Sequence, residues 1–166
     1  MTFCKRLPER GRGKFKTFRL LHEAEWEYSC RAGTRTPFNF GGYDDDKKEG
    51  MSKFLYCSQT GGHDQYRTCK VGNYPANALG LHDMHGNVWQ WCEDLYDPGK
   101  PIRMLRGGSW FDRDPRSLLS SLRVCVRPVF RGDAAGFRCV LACGGVSASE
   151  PARPPAAQTA PRLQPT

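Results

Sequence analysis

Three groups of residues have the types and spacing to do chemistry. His82 and His85 flank Asp83 and Met84, a spacing that on a helix would turn two imidazoles toward one zinc ion. Glu23, Glu25 and Glu27 place three carboxylates within one short segment, as general acid/base work would require. Asp44, Asp45 and Asp46 offer the hard oxygens that calcium takes. Each group also has a plainer reading. The histidines sit in GLHDMHGN, which reads as a turn and brings no third ligand, so hydrogen bonding and structure are the expectation for them. The glutamates fall near the start of a helix, where they complement its dipole and are otherwise solvated, and Glu27 is spaced to pair with Arg31. The aspartates lack EF-hand spacing and read as a solvated loop.

Eight cysteines are a further reservoir of chemistry, yet none forms a C-x-x-C pair, so the knuckles that present two thiolates to one ion are missing. Such spacing suits either long-range disulfides or buried thiols; with no export signal in the chain, buried thiols are favoured.

The elements that would position these groups are readable in outline. The stretch Gly80 to Tyr96, GLHDMHGNVWQWCEDLY, is the densest in special residues. Gly86-Asn87 reads as a turn tolerant of positive φ. Val88, Trp89 and Trp91 follow as a strand, with both tryptophans expected in the core. LLHEAEWEYSCRAG, Leu20 to Gly33, is the clearest helix, stopped by Gly33. Thr34 to Gly42 reads as a short strand entering a loop. Phe3 and Leu7 define one face of a short helix that Pro8 ends, and Cys4 adjoins that face. Trp110, after Gly107-Gly108, is expected in the core, the glycines allowing close backbone approach. With 18 glycines and 12 prolines among scattered aromatics, the fold class is an irregular α+β domain with little regular secondary structure.

Composition excludes several function classes. At 166 residues and 39% hydrophobic the chain is one domain with a sizeable core. No apolar run approaches the ~20 residues a membrane span needs, and the N-terminus lacks an apolar signal core, which makes the cytoplasm the default location of the chain as written. The net charge of +8 is concentrated before residue 20 and among eight arginines between 101 and 138. No zinc finger, RNP motif or helix-turn-helix accompanies it, so solvated basic surface is expected and a nucleic-acid partner is not.

Four blocks, LLHEAEWEYSCRAGT, VGNYPANALGLHDMHGNVWQWCEDLY, RMLRGGSW and AGFRCV, resemble, in this order and at about these separations, the sulfatase-modifying-factor or formylglycine-generating-enzyme family. The resemblance implies a C-type-lectin-like fold over residues 1–143, here without the N-terminal part that family members carry ahead of the first block. The helix departs from the family in lacking a capping Thr before EAEWEY, a loss of about 1 kcal/mol. The implied chemistry is oxidation of a substrate cysteine to formylglycine with oxygen and copper held by two cysteines. Those two positions are Asp112 and, by ungapped counting, Ser117, and copper(I) prefers soft thiolates. Copper is therefore not expected, and a non-catalytic module binding a protein or peptide ligand is. The alternative is a copper oxidase whose site draws on another thiol such as Cys125. The family groove maps to Ser109 and Arg123. A structural calcium site, built on the GNVWEW-like turn, maps to Asn87 and Gln90, with Asp64 near a second site; calcium is the one cofactor the resemblance supports. The family disulfide maps to Cys4 and Cys139. Cys30 matches a cysteine whose usual partner is missing and is expected as a buried thiol, with Cys125 as an alternative partner.

Between RGGSW and GFRC, residues 111–135 carry Arg113, Arg116, Arg123, Arg127 and Arg131 with little periodicity. This stretch resembles the randomised segment of the variable proteins of diversity-generating retroelements, which share the lectin-like fold, and so is expected to display a ligand-contact surface. From residue 144 the composition shifts to Pro, Ala and Ser, as in a disordered tail.

Overall fold

The computed structural model describes residues 2–7, 17–42, 48–62 and 67–142. The aspartates at 44–46, Asp64 and the tail from 144 lie outside the described residues. Helix α1 (Thr2–Arg6) leads to β1 (Thr17–Leu20), α2 (Glu23–Arg31), a short α3 (Lys48–Met51) and a π-type turn at Ser58–Gly62. Then come β2 (Trp89–Asp97), β3 (Lys100–Arg106), a 3-10 turn at Pro115–Leu118, β4 (Val124–Val126), β5 (Ala135–Phe137) and β6 (Cys139–Ala142). β1 pairs antiparallel with β6, and the second sheet runs β4-β3-β2-β5, with β2 and β5 parallel. The α+β, loop-rich expectation holds.

Helix α2 starts three residues later than its sequence pattern predicts. Leu20 and Leu21 are buried from extended backbone, and pairing with β6 claims Leu20 for a strand. His22 is the N-cap residue, with φ −65° and ψ 152°. The capping Thr that the sequence lacks is replaced from across the fold: Asp94 on β2 accepts the Glu23 N–H at 2.5 Å, and Glu25 accepts the His22 N–H at 2.8 Å. Two of the helix's orphan donors are thus satisfied. The other end closes with Ala32 already left-handed at φ 48°, ahead of Gly33.

Two expectations are corrected. Residues 34–42 form no strand; they close as a tight loop whose only ladder contact is a bridge between Phe38 and Gly41, and Phe38 is fully buried. On β2 the core face carries Gln90 and Cys92, while Trp89 and Trp91 take the opposite, half-buried face. Side-chain direction alternates along a strand, so the phase set at the Gly86-Asn87 turn decides which set is inside. Gln90 tolerates that position because both ends of its amide are hydrogen-bonded, the oxygen accepting from the Trp26 indole at 2.9 Å and the nitrogen donating to the Asp83 carbonyl at 2.8 Å.

The core has two parts. Leu21, Trp26, Cys30, Met84, Cys92 and Met104 form one cluster; Phe38, Met51, Leu55, Cys57 and Leu118 form the other. His85 joins them, edge-on to Phe38 and Phe40 at 5.3 and 5.5 Å and 3.5 Å from the Cys30 sulfur. In α1 the inward residue is Cys4, while Phe3 lies partly exposed edge-on to Phe137.

Backbone hydrogen bonds tie the Gly86-Asn87 turn to its neighbours. Gly86 N–H donates to the Gly107 carbonyl at 2.7 Å, Asn87 N–H to Tyr56 at 2.9 Å, and Trp110 N–H to Asn87 at 2.9 Å. Gly86 and Asn87 have φ of 91° and 64°. A Cβ on Gly86 would lie 2.2 Å from the Tyr56 carbonyl oxygen, and one on Gly108 would lie 2.7 Å from Leu118. These glycines let three chain segments meet at backbone distance.

Candidate functional site

The two histidines serve the fold separately. His82 Nδ1 lies 2.7 Å from the Tyr74 carbonyl. His85 Nδ1 lies 2.7 Å from the Leu118 carbonyl, while Nε2 accepts the Asn39 N–H at 3.3 Å. This fixes a neutral tautomer protonated at Nδ1, and burial pushes its pKa down to about 4. Among the described residues, no three His, Cys, Asp or Glu side chains gather around a metal position.

Asn87 and Gln90 sit on the turn to which the calcium resemblance maps. Asn87 Oδ1 accepts the Cys69 N–H at 3.0 Å. Gln90 Oε1 accepts both the Trp26 indole and Arg138 Nε, the latter at 3.1 Å. With its lone pairs committed and a guanidinium beside it, Gln90 does not fit a calcium ligand as arranged, and Asn87 would have to release Cys69.

At the mapped copper positions the donors are oxygens. Asp112 Oδ2 accepts from Ser109 N at 2.8 Å and Ser109 Oγ at 2.6 Å, so the groove residue and the first metal position form one closed hydrogen-bonded turn. Ser117 lies in the 3-10 turn, its N–H donating to the Asp114 carbonyl at 2.8 Å. Neither side chain offers the sulfur that copper(I) requires, and the pair does not fit that metal. Arg123 stands apart from Ser109 and Asp112, held by Glu23 on α2 through two bonds of 2.6 Å.

The expected Glu27–Arg31 pair forms, at 2.8 Å, but the glutamates also have partners that their position did not imply. Glu23 and Glu27, four apart on one helix face, converge on Arg106, which is completely buried at the end of β3. Arg106 donates to Glu27 at 2.5 Å and to the carbonyls of Ser120, Ser121 and Leu122 at 2.7–3.1 Å. Its guanidinium lies 5.1 Å over the Trp26 ring. Glu25 pairs with Arg19 through bonds of 2.6 and 2.7 Å. Arg106 was missed by the sequence reading. The signal was present in two same-face carboxylates with only one local cation, Arg31, to share.

Cys4 and Cys139 are brought together, their sulfurs 3.4 Å apart as free thiols. Cys30 is a buried thiol; desolvation pushes its pKa up to about 11. Burial likewise pushes Cys92 up to about 12, so neither is a thiolate nucleophile near neutral pH. Cys125, the alternative partner expected for Cys30, is a free thiol exposed on β4, whereas Cys30 is buried.

Residues 111–135 divide in two. Pro115, Leu118 and Ser120 are buried and lock the segment to the glycine-rich turn and to Arg106. The rest faces outward: Phe111, Val129 and Phe130 are exposed, as are Arg113, Arg127 and Arg131. The Phe130 N–H closes onto the Arg127 carbonyl at 2.9 Å, a turn with Pro128 and Val129 at its tip.

A family model described as "Sulfatase-modifying factor enzyme 1-like domain" matches residues 1–143. Among curated proteins, the chain is 31% identical over 134 residues to the inactive C-alpha-formylglycine-generating enzyme 2 of Mus musculus, covering 76% of this chain and 44% of that protein. It is 40% identical over 89 residues to the formylglycine-generating enzyme of Mycobacterium tuberculosis, covering 48% of this chain and 28% of that protein. Among solved structures, PvdO from Pseudomonas aeruginosa matches with a TM-score of 0.72 at 31% identity, over 84% of this chain and 57% of that one. Treponema denticola variable protein 1 matches with a TM-score of 0.64 at 28% identity, over 75% and 47%. The chain therefore spans less than half the length of these curated relatives. On the extent of the family match, the chain belongs to the sulfatase-modifying factor enzyme 1-like family.

Proposed function

We propose that this chain is a non-catalytic binding module of its family, in which the outward-facing parts of residues 111–135 contact a protein or peptide ligand. The observation that carries the reading is the Ser109–Asp112 turn. Where copper chemistry would need a thiolate, a carboxylate is spent on holding the backbone, with both of its bonds made to Ser109. The likeness to a mouse protein named inactive and to a variable protein supports the same reading. Downstream, three exposed apolar side chains and three exposed arginines offer the mixed surface that protein ligands use.

The test is a copper(I) titration of the reduced chain beside its Cys125→Ser variant, followed by incubation of each with a cysteine-containing sulfatase peptide under oxygen. The module reading predicts identical titrations and an unchanged peptide. Tight stoichiometric copper binding that Cys125→Ser abolishes, with aldehyde formed on the peptide, would establish the oxidase instead.

A further inference from the structure

Outside residues 111–135, a groove of about 420 Å³ opens between the 71–72 turn, the 80–83 segment and the β5–β6 junction. Its size suits a small molecule. Val71, Leu81, Val88 and Phe137 supply apolar wall, and two opposite charges, Arg138 and Asp83, line the same space. Arg138 is half-buried. It donates Nε to Gln90 and Nη2 to the His82 carbonyl at 2.7 Å, both neutral acceptors, and Nη1 has no partner among the described residues. Among the described residues Asp83 uses only Oδ2, which accepts the Gly72 N–H at 2.8 Å. Among the described residues neither charge forms an ion pair, with the other or with anything else. Partial burial pulls the Arg138 pKa down, while the Asp83 carboxylate acts in the opposite direction. The backbone at Asp83 is left-handed, at φ 57°, a conformation that Asp and Asn tolerate better than other non-glycine residues.

We propose that this groove binds a small zwitterion of the α-amino-acid type with an apolar side chain. Its carboxylate would meet Arg138 Nη1, its ammonium would meet Asp83 Oδ1, and its side chain would lie against Phe137 and Val88. Each charge of the ligand completes one that the protein leaves open, and the apolar walls select against a purely polar ion.

Calorimetric titration with L-leucine, N-acetyl-L-leucine and L-leucinamide separates the two charges. Leucine binds saturably; removing either ligand charge weakens binding about tenfold or more. Asp83→Asn keeps the acceptor for Gly72 and tolerates the left-handed backbone, and it loses leucine by a similar factor. Arg138→Met does the same. Should Arg138→Met fail to fold, Val71→Trp, which adds bulk at an exposed rim position, closes the groove and removes binding while leaving the melting temperature unchanged. The proposal is overturned if leucine does not saturate by about 10 mM, if either single-charge analogue binds as well as leucine, or if Asp83→Asn binds leucine unchanged.

Discussion

The glycine-pinned junction of Gly86, Asn87, Gly107 and Gly108 and the outward surface of residues 111–135 are neighbours in the chain and opposites in constraint. The junction is specified at backbone level: a single added methyl group at Gly86 meets a carbonyl oxygen at 2.2 Å. The segment 111–135 is held by the pairing of β4 with β3, by the Arg123–Glu23 pair and by inward anchors, Leu118, Ser120 and the carbonyls gathered by Arg106, which leaves Phe111, Arg113, Arg127, Val129, Phe130 and Arg131 exposed. A scaffold built this way can change its display residues without renegotiating its core.

That contrast can be broken or sharpened by substitution. Gly86→Ala combines a steric clash with a positive φ and should cost about 4 kcal/mol or more, seen as loss of the cooperative unfolding transition. Arg106→Met leaves Glu27 to Arg31 alone but takes the donor from three loop carbonyls, and should cost on the order of 3–5 kcal/mol in urea unfolding. If either variant melts like the parent, the junction is not the organising feature. A pH effect comes next in size. His85 stays neutral in the fold down to about pH 4, whereas the unfolded chain takes up the proton near its ordinary pKa of about 6.5. The unfolded state therefore binds more protons between those values, and stability falls as pH drops through that window, by about 3 kcal/mol in all. His85→Gln should flatten this dependence in a melting series from about pH 7 to about pH 4. The smallest effect belongs to the surface: Val129→Ser and Phe130→Ser should each change stability by less than about 0.5 kcal/mol.

Much of the scaffold was legible in the sequence because its signals are local. The Gly86-Asn87 turn, the helix over EAEWEYSCR and the buried Trp110 each follow from residues adjacent in the chain. What the sequence left dark depends on distant pairing. Asp94 caps α2 across 71 residues, and Arg106 meets Glu27 across 79; no periodicity encodes either contact. The tryptophans of β2 misled for a related reason. Hydrophobicity favours Trp89 and Trp91 inside, but Gln90 finds the Trp26 indole, Arg138 and a carbonyl, and a satisfied amide can take the core face. At the candidate site, Ser109 and Asp112 proved to be hydrogen-bonded partners, whereas Arg123 belongs to α2 through Glu23. Arg138 gave no warning, being one cation between Phe137 and Cys139 in a strand-like run.

The most direct test is a pair of displayed libraries read by protease resistance. One randomises Phe111, Arg113, Arg127, Val129, Phe130 and Arg131; the other randomises Gly86, Asn87, Gly107, Gly108, Ser109 and Trp110. The account predicts that most members of the first stay resistant and yield clones that bind an immobilised test protein, while members of the second are digested. Equal loss of resistance in both libraries would contradict it.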